Sequence, residues 1–271
     1  MDDENIAAPD KQKQAPGAAV PPKVMRRVGE EEKLPFTTHL EELRQRLIYC
    51  LVTVGVVFMA VYAVSGDIYQ FVRKPIGIDL VFLSPTEAFF VYLKLSIYVA
   101  VMISTPMLLY QAWEFVAPGL LAVERRYTGA FVVIGTLFFA IGAAFCYFAV
   151  LPIGLQFLIG YGGEGLKPMI SVGNYLSFVF MFTLAFGIIF EMPLVIVFLA
   201  SMGLVTPDWL AKQRSYFIVG DFVVAAILTP TPDVVSQLMM AVPMMILFEA
   251  GLFAARFFTA KKQEEPDGQT D

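Results

Sequence analysis

Six long apolar runs dominate this sequence of 271 residues. A helix of about 17 to 25 apolar residues can cross the hydrocarbon core of a bilayer. Five of the six runs are long enough to cross it, whereas the run at 216–228 has only 13 residues and carries Asp221. We therefore predict an all-α, polytopic membrane protein with six transmembrane helices, a short fifth helix and an irregular sixth helix that contains Pro243. The runs occupy residues 47–64, 88–113, 127–151, 178–200, 216–228 and 238–258.

The composition supports a membrane protein and excludes several other classes. The chain is 58% hydrophobic, whereas soluble domains are about 45–50% apolar. Its net charge of −5 comes largely from the two tails, and without a basic stripe interleaved with aromatics we expect no nucleic-acid partner. Cys50 and Cys146 lie in apolar runs, so we expect neither a disulfide nor a metal site. His39 is the only histidine and the common catalytic motifs are missing, so we expect neither an enzyme nor a cofactor.

Composition also divides the chain into four segments. Residues 1–34 are polar and rich in alanine and proline, which predicts a disordered cytoplasmic tail with no signal-peptide core. Residues 35–46 are predicted to form a cytoplasmic amphipathic helix, residues 47–258 the transmembrane domain, and residues 259–271 a cytoplasmic C-terminal tail. The pair Arg26-Arg27 is interpreted as an ordinary basic pair within the first tail.

The distribution of basic residues predicts the orientation. With the N-terminus in the cytoplasm, fifteen lysines and arginines fall in inner segments and only three in outer loops. Inner loops carry the excess of positive charge in membrane proteins, so we expect both termini to be cytoplasmic. The outer loops, 65–87 and 152–174, contain short apolar stretches bounded by proline and glycine. They predict a cap of short helices on the outer face.

Glu191 is the only charged residue in the fourth apolar run. A carboxylate near the middle of a span costs about 2.5–3.5 kcal/mol on insertion scales, so we expect it to face protein or water and to serve a function inside the bilayer. Pro193 follows and is expected to kink the helix. On the fifth run, Asp221 is expected to pair with Lys212 or Arg214.

Acidic residues cluster on the predicted cytoplasmic face. Thr38 and Glu41 have the spacing of a capping box, and Glu42 and Arg46 have the spacing of an i, i+4 ion pair. Glu124 is predicted at the start of the third span. In one interpretation Glu41 and Glu42 belong to a solvated helix end, and Glu124 stabilises the N-terminal end of its helix or pairs with a nearby arginine. In the other, Glu42 and Glu124 each bind one arginine of another chain by bidentate hydrogen bonds.

The last predicted outer turn is stiffened by two prolines. Asp233 precedes the sixth span and is expected to cap it. Ser236 and Gln237 follow in its first turn. Besides a capping turn, this segment could provide a polar contact for another membrane helix.

Seven motifs in order resemble the TatC family, the large subunit of the twin-arginine protein translocase. The resemblance covers residues 36–258. The motifs are HLEELRQRL at 39–47, SPTEAF at 84–89, LLYQAWEFVAPGLLAVERR at 108–126, NYLSFV at 174–179, AFGIIFEMP at 185–193, LTPTPDVVSQ at 228–237 and FEAGLF at 248–253.

The resemblance implies the core and signal-peptide receptor of a translocon in the bacterial cytoplasmic (inner) membrane. Its substrates would be folded cargo proteins with paired-arginine signal peptides, and the proton-motive force would drive export. Glu42 and Glu124 match the acids that bind those arginines, and Phe115 matches a cytoplasmic aromatic residue beside them. Glu41 and Arg126 are expected at the same signal-binding site.

The resemblance also implies sites for membrane partners. Glu191 and Pro193 are expected to line an intramembrane groove. Pro75, Asp233 and Gln237 are expected where small single-span subunits of the TatA/TatB family dock. Further copies of the chain and the lipid bilayer complete the expected partners.

Three other functions can be compared with the sequence. A proton-coupled carrier would use Glu191 as its coupling acid, but it predicts repeated halves, and no internal repeat is visible. A scaffold that assembles small membrane proteins would bind no peptide. An intramembrane protease would need paired acids at depth, and Glu191 and Glu249 lack that context.

Overall fold

The computed structural model describes residues 34–116, 128–160, 162, 167–229 and 233–263. Within these ranges the chain is helical apart from short connections and one isolated bridge between Val81 and Ser171. The predicted all-α class is therefore confirmed. Residues from Glu42 onward form one compact unit, and the described residues before it, 34–41, are helical.

The described residues up to Gly160 contain five α-helices. α1 begins at Leu34, four residues before Thr38, so Thr38 does not start this helix as a capping residue would. α2 is the short outer helix that the sequence predicts, and a 3₁₀ turn containing Pro75 follows it. The elements are α1 (Leu34–Ala63), α2 (Ser65–Val72), the 3₁₀ turn (Lys74–Ile76), α3 (Pro85–Val116), α4 (Thr128–Phe145), a π turn (Cys146–Val150) and α5 (Leu151–Gly160).

The described residues from 167 onward contain five more helices. The predicted fourth span consists of two helices that meet at Glu191. The helix of the sixth predicted span extends beyond the predicted run at both ends, and it continues through Pro243. The elements are α6 (Val172–Phe190), α7 (Met192–Ser201), α8 (Pro207–Lys212), α9 (Arg214–Leu228) and α10 (Val234–Gln263).

Five stretches of the described chain are long and apolar enough to cross a membrane. The fifth predicted span is α9, whose 15 residues extend about 22 Å at 1.5 Å per residue. It is shorter than the hydrocarbon core, as its sequence indicates, so the total of six spans remains a prediction. The five stretches are His39–Ala63, Pro85–Val116, Gly129–Gly160, Val172–Ser201 and Val234–Phe257.

The third span differs from its prediction. It does not end near residue 151 but continues through the π turn and α5 to Gly160, so the apolar stretch 155–159 extends this helix instead of forming a separate cap helix. A π turn shifts the hydrogen-bond register by one residue. We attribute the continuity to this shift, because Pro152 lies just after the turn and has no N–H to donate.

The fourth span forms the centre of the core. More than half of its most apolar window is buried, a larger share than in the other candidate spans. α6 packs on α4, and α10 packs along α7. α4 approaches the backbone of α6 closely at Gly142, where an added Cβ would lie 2.5 Å from the carbonyl oxygen of Phe186. Only a residue without a side chain fits there.

On the predicted outer face, polar side chains tie the loops to the spans. The carboxylate of Glu87 accepts hydrogen bonds from the N–H of Leu83 at 2.6 Å, from the N–H of Gly173 at 2.9 Å and from the hydroxyl of Ser171. The hydroxyl of Tyr175 donates to the carbonyl oxygen of Val72 at 2.7 Å. Together these bonds join α2, α3 and the start of α6.

Candidate functional site

The predicted ion pair between Glu42 and Arg46 is present on α1. The Nε of Arg46 donates to Oε1 of Glu42 at 3.2 Å, and Nη2 donates to the same oxygen. The two side chains are partly buried, with 18% of Arg46 and 31% of Glu42 exposed. Glu42 therefore already binds a guanidinium in this structure.

The C-terminal end of α3 completes the surroundings of that guanidinium. The Nη1 of Arg46 lies 3.5 Å from Oε1 of Gln111, and its Nη2 lies 3.9 Å from Oε2 of Glu114. Two carboxylates and one amide thus converge on a single guanidinium. The sequence motifs did not single out Gln111 or Glu114. Their spacing of three residues places them on one face of a helix. This spacing is the feature of the sequence from which a shared site could have been predicted.

An aromatic cluster holds this end of α3 in place. The indole of Trp113 stacks on Phe131 of α4 with ring centroids 4.8 Å apart, and it meets Phe198 of α7 edge to face at 4.3 Å. Each such ring pair contributes about 0.5–1.5 kcal/mol beyond its buried area. Because Glu114 and Phe115 follow Trp113 directly, the cluster also fixes their position beside α1.

The other predicted signal-binding residues are placed as follows. Phe115 is half-buried and shares the end of α3 with Glu114. The structure thus brings Glu42 next to the helix end that carries Phe115. Glu41 is exposed on α1. Glu124 and Arg126 lie outside the described residues.

Glu191 lies at the junction of α6 and α7. Its N–H donates to the carbonyl oxygen of Ile188 at 3.0 Å, and Pro193 occupies the first turn of α7. The Oε1 atom is buried and has no hydrogen-bond partner among the described residues. The Oε2 atom faces Gly135 of α4, where an added Cβ would lie 3.0 Å from it. The carboxylate therefore packs against the third span.

The predicted docking residues lie at the start of α10 and in the first outer loop. Oδ1 of Asp233 accepts a hydrogen bond from the N–H of Ser236 at 2.7 Å, which confirms the predicted cap. The side-chain amide of Gln237 donates to the carbonyl oxygen of Phe222 at 3.0 Å. Pro75 is half-buried in its 3₁₀ turn. Gln237 thus links α9 to α10 within the chain.

Asp221 differs from its prediction. Arg214, one of its two expected partners, donates to Oε2 of Glu249 at 2.7 Å instead. Asp221 is buried, and its Oδ2 has no hydrogen-bond partner among the described residues. Arg214, Asp221 and Glu249 line one small cavity between α9 and α10. Of the two acids that line this cavity, the arginine binds the more exposed one, Glu249.

Comparison with known proteins identifies the family. A model of the family described as Sec-independent protein translocase protein (TatC) matches residues 38–243. The Sec-independent protein translocase protein TatC of Desulforapulum autotrophicum is 43% identical over 255 residues, which cover 89% of this chain and 94% of the relative. The protein of the same name from Escherichia coli is 41% identical over 237 residues, which cover 85% and 92%.

A solved structure agrees with these relatives. The crystal structure of the twin arginine translocase receptor TatC is 38% identical to this chain and has a TM-score of 0.73. The match covers 82% of this chain and 99% of the solved one. A second structure of that receptor, in DDM, is 39% identical and has the same TM-score. This chain therefore belongs to the TatC family of Sec-independent protein translocase proteins.

Proposed function

We propose that this chain is the core and signal-peptide receptor subunit of the twin-arginine translocase and recognises the paired-arginine signal peptides of folded cargo. The observation that carries the proposal is the bond between Glu42 and Arg46, in which two N–H groups of one guanidinium reach one carboxylate. A planar guanidinium can make this forked contact, whereas a lysine ammonium cannot. The same carboxylate suits an arginine that another chain supplies.

Within this proposal each residue of the inner site has a role. Glu42 binds one arginine of the signal, and Glu124 binds the second. Glu41 and Arg126 shape the electrostatic potential around the two acids. Phe115 contacts the apolar residues that follow the arginine pair. The half-buried position of Phe115 beside Glu114 supports this role.

The remaining predicted sites serve the later steps. The apolar part of the signal lies against a groove wall that includes Glu191 and Pro193. Small single-span subunits of the TatA/TatB family dock at Asp233, Gln237 and Pro75, and further copies of the chain join the complex. The Oε1 of Glu191 has no hydrogen-bond partner among the described residues, and this supports a polar role at that wall because a buried polar atom without a partner is costly.

The chain is a multi-pass membrane protein, and we assign it to the bacterial cytoplasmic (inner) membrane with both termini in the cytoplasm. The excess of lysine and arginine in the inner segments supports this orientation. Residues 1–34 and 259–271 are its cytoplasmic tails. The proton-motive force supplies the energy for export.

The test is a binding measurement with the full chain in detergent. A fluorescent paired-arginine signal peptide is titrated against the wild type, and a paired-lysine version serves as the competitor of equal charge. We expect the lysine peptide to bind more than tenfold more weakly, since it loses the forked contacts with both Glu42 and Glu124 and each loss of about 1.4 kcal/mol weakens binding about tenfold. Glu42→Gln removes one of these contacts and should weaken binding of the arginine peptide by about tenfold. Equal affinity for the two peptides would overturn the proposal.

Two controls make the measurement specific. Asp208→Asn removes one negative charge from a side chain that is 89% exposed and is not among the proposed binding residues, so it should leave both affinities unchanged. Photo-crosslinkers at Phe115 and at Met169, an exposed residue of the second outer loop, separate the two membrane faces. The probe at Phe115 should label the bound peptide much more strongly than the probe at Met169.

A further inference from the structure

The guanidinium of Arg46 is hydrogen-bonded to the carboxylate of Glu42, the group that the proposed receptor needs in order to bind an arginine of the signal peptide. We propose that Arg46 is a resident occupant of this site, that an arginine of the signal peptide replaces it on Glu42, and that Glu114 receives Arg46 after the exchange. This inference rests on the proposed function. It adds Arg46 and Glu114 as residues that determine specificity.

The geometry provides both ends of such an exchange. Arg46 donates twice to Glu42 through Nε and Nη2, and Nη2 already lies 3.9 Å from Oε2 of Glu114. A small rotation of the guanidinium would bring it into full contact with Glu114. The Oε1 of Gln111, 3.5 Å from Nη1, faces the same guanidinium. Gln111 is buried, with 6% of its surface exposed. Its side-chain oxygen can keep its contact with Nη1 while the guanidinium rotates from Glu42 to Glu114.

The burial of the three charges explains why a second acid is needed. The exposed fractions of the side chains are 18% for Arg46 and 23% for Glu114. A partly buried arginine that loses its carboxylate without a replacement keeps an uncompensated charge, which is unfavourable. Glu114 removes most of that penalty because Arg46 changes partner instead of losing one.

A resident arginine also sharpens the choice between arginine and lysine. A lysine of an incoming peptide would have to displace a forked guanidinium contact with an ammonium that cannot make one. An incoming arginine makes the same contact that it displaces. Arg46 therefore lowers the affinity for lysine peptides more than it lowers the affinity for arginine peptides.

The experiment is a double-mutant cycle on the full chain in detergent, with the paired-arginine and paired-lysine peptides as probes. Arg46→Gln should tighten binding of the arginine peptide by about threefold and that of the lysine peptide by more, so that the ratio of the two affinities falls. Glu114→Gln should weaken binding of the arginine peptide by about threefold in the wild type. In the Arg46→Gln background the same substitution should have no effect, because no arginine remains to be received.

The outcomes separate this inference from the proposed function. If the wild type does not distinguish the two peptides, the proposed function fails. If it distinguishes them but Glu114→Gln weakens binding equally in both backgrounds, Glu114 acts on the peptide directly and the exchange is wrong. An unchanged ratio in Arg46→Gln would also overturn it. Lys212→Gln, which removes one positive charge from an exposed site on α8, controls for net charge.

The conservative variant Arg46→Lys covers the case in which Arg46→Gln does not fold. It keeps the positive charge beside Glu42 and Glu114 but removes the fork, so the ratio of affinities should still fall. Thermal unfolding of each variant in detergent confirms that the comparison is made on folded protein. A ratio equal to that of the wild type in folded Arg46→Lys would contradict the exchange.

Discussion

The side-chain amide of Gln237 donates a hydrogen bond to the carbonyl oxygen of Phe222 at a distance of 3.0 Å. Phe222 belongs to α9 and Gln237 to the first turn of α10, so the bond joins the last two helices of the transmembrane domain. The cap that Asp233 provides lies one turn earlier. The start of α10 is thus fixed from two sides, at the place proposed for docking a small subunit.

Replacement of Gln237 by leucine should destabilise the protein. The substitution removes the donor, and interhelical hydrogen bonds in membranes contribute about 0.6–2 kcal/mol. We expect the free energy of unfolding to fall by that amount, measured by thermal or denaturant unfolding in detergent. Leu238→Ala is the control, since Leu238 is the next residue and is 41% exposed. An equal loss in both variants would show that the hydrogen bond is not the cause.

Replacement of Gly142 by alanine should destabilise the packing of α4 on α6. The added Cβ would lie 2.5 Å from the carbonyl oxygen of Phe186 and 2.8 Å from Cβ of Phe190, so backbone must move. Overpacking of this kind typically costs about 1–3 kcal/mol. Unfolding of the variant in detergent measures the loss.

Gly129, on the same helix, provides the matched control for Gly142. An added Cβ there meets nothing within 4 Å. Since alanine is the better helix former, by up to about 1 kcal/mol, Gly129→Ala should be neutral or stabilising. A loss of stability in Gly129→Ala as large as that in Gly142→Ala would contradict the packing argument.

Local features of this fold could be predicted from the sequence. The spacing of Glu42 and Arg46 on one helix predicted their ion pair, and the position of Asp233 before an apolar run predicted its capping bond. The length of the fifth run predicted a helix too short to cross the hydrocarbon core. Each of these follows from residues that lie within a few positions of one another.

Contacts between distant segments could not be predicted in this way. Arg46 and Gln111 are 65 residues apart, and their contact depends on how the N-terminal part of α1 lies beside the C-terminal end of α3. The family resemblance drew attention to Glu124 but gave no reason to select Glu114. Asp221 shows the same limit, because its expected partner Arg214 binds Glu249, which lies 35 residues further along the chain.

Glu87 is another residue whose importance only the structure reveals. Its carboxylate joins the connection before α3 to the connection before α6, through Leu83 on one side and Ser171 and Gly173 on the other. Glu87→Gln keeps the size of the side chain but removes the charge that strengthens these bonds. We expect faster amide hydrogen exchange at Leu83 and Gly173, measured by mass spectrometry in detergent.

A neighbouring acid serves as the control for Glu87. Asp79 lies in the same outer loop and is exposed, so Asp79→Asn should leave exchange at Leu83 and Gly173 unchanged. Exchange that increases equally in both variants would indicate an effect of charge alone and would contradict the role of the Glu87 carboxylate as a tie between the loops.

Replacement of Glu191 by methionine should raise stability while lowering export. Its buried Oε1 has no hydrogen-bond partner among the described residues, and a buried polar atom in that state costs about 1–3 kcal/mol. Methionine fills a similar volume without that penalty. We therefore expect a higher midpoint of thermal unfolding in detergent, together with reduced export of a paired-arginine reporter in cells that depend on this chain. Sites that serve a function often lose it when they are stabilised.

Glu249→Met is the control for Glu191→Met, because it replaces a glutamate that has an ion-pair partner. Glu249 forms an ion pair with Arg214 at 2.7 Å, and about half of each side chain is exposed. Removing that partner should lower stability, by no more than about 1 kcal/mol for so exposed a pair. The two substitutions delete the same group, so opposite signs would show that the partner decides the effect. A loss of stability in Glu191→Met would mean that its carboxylate is satisfied in the membrane by a group outside the described chain.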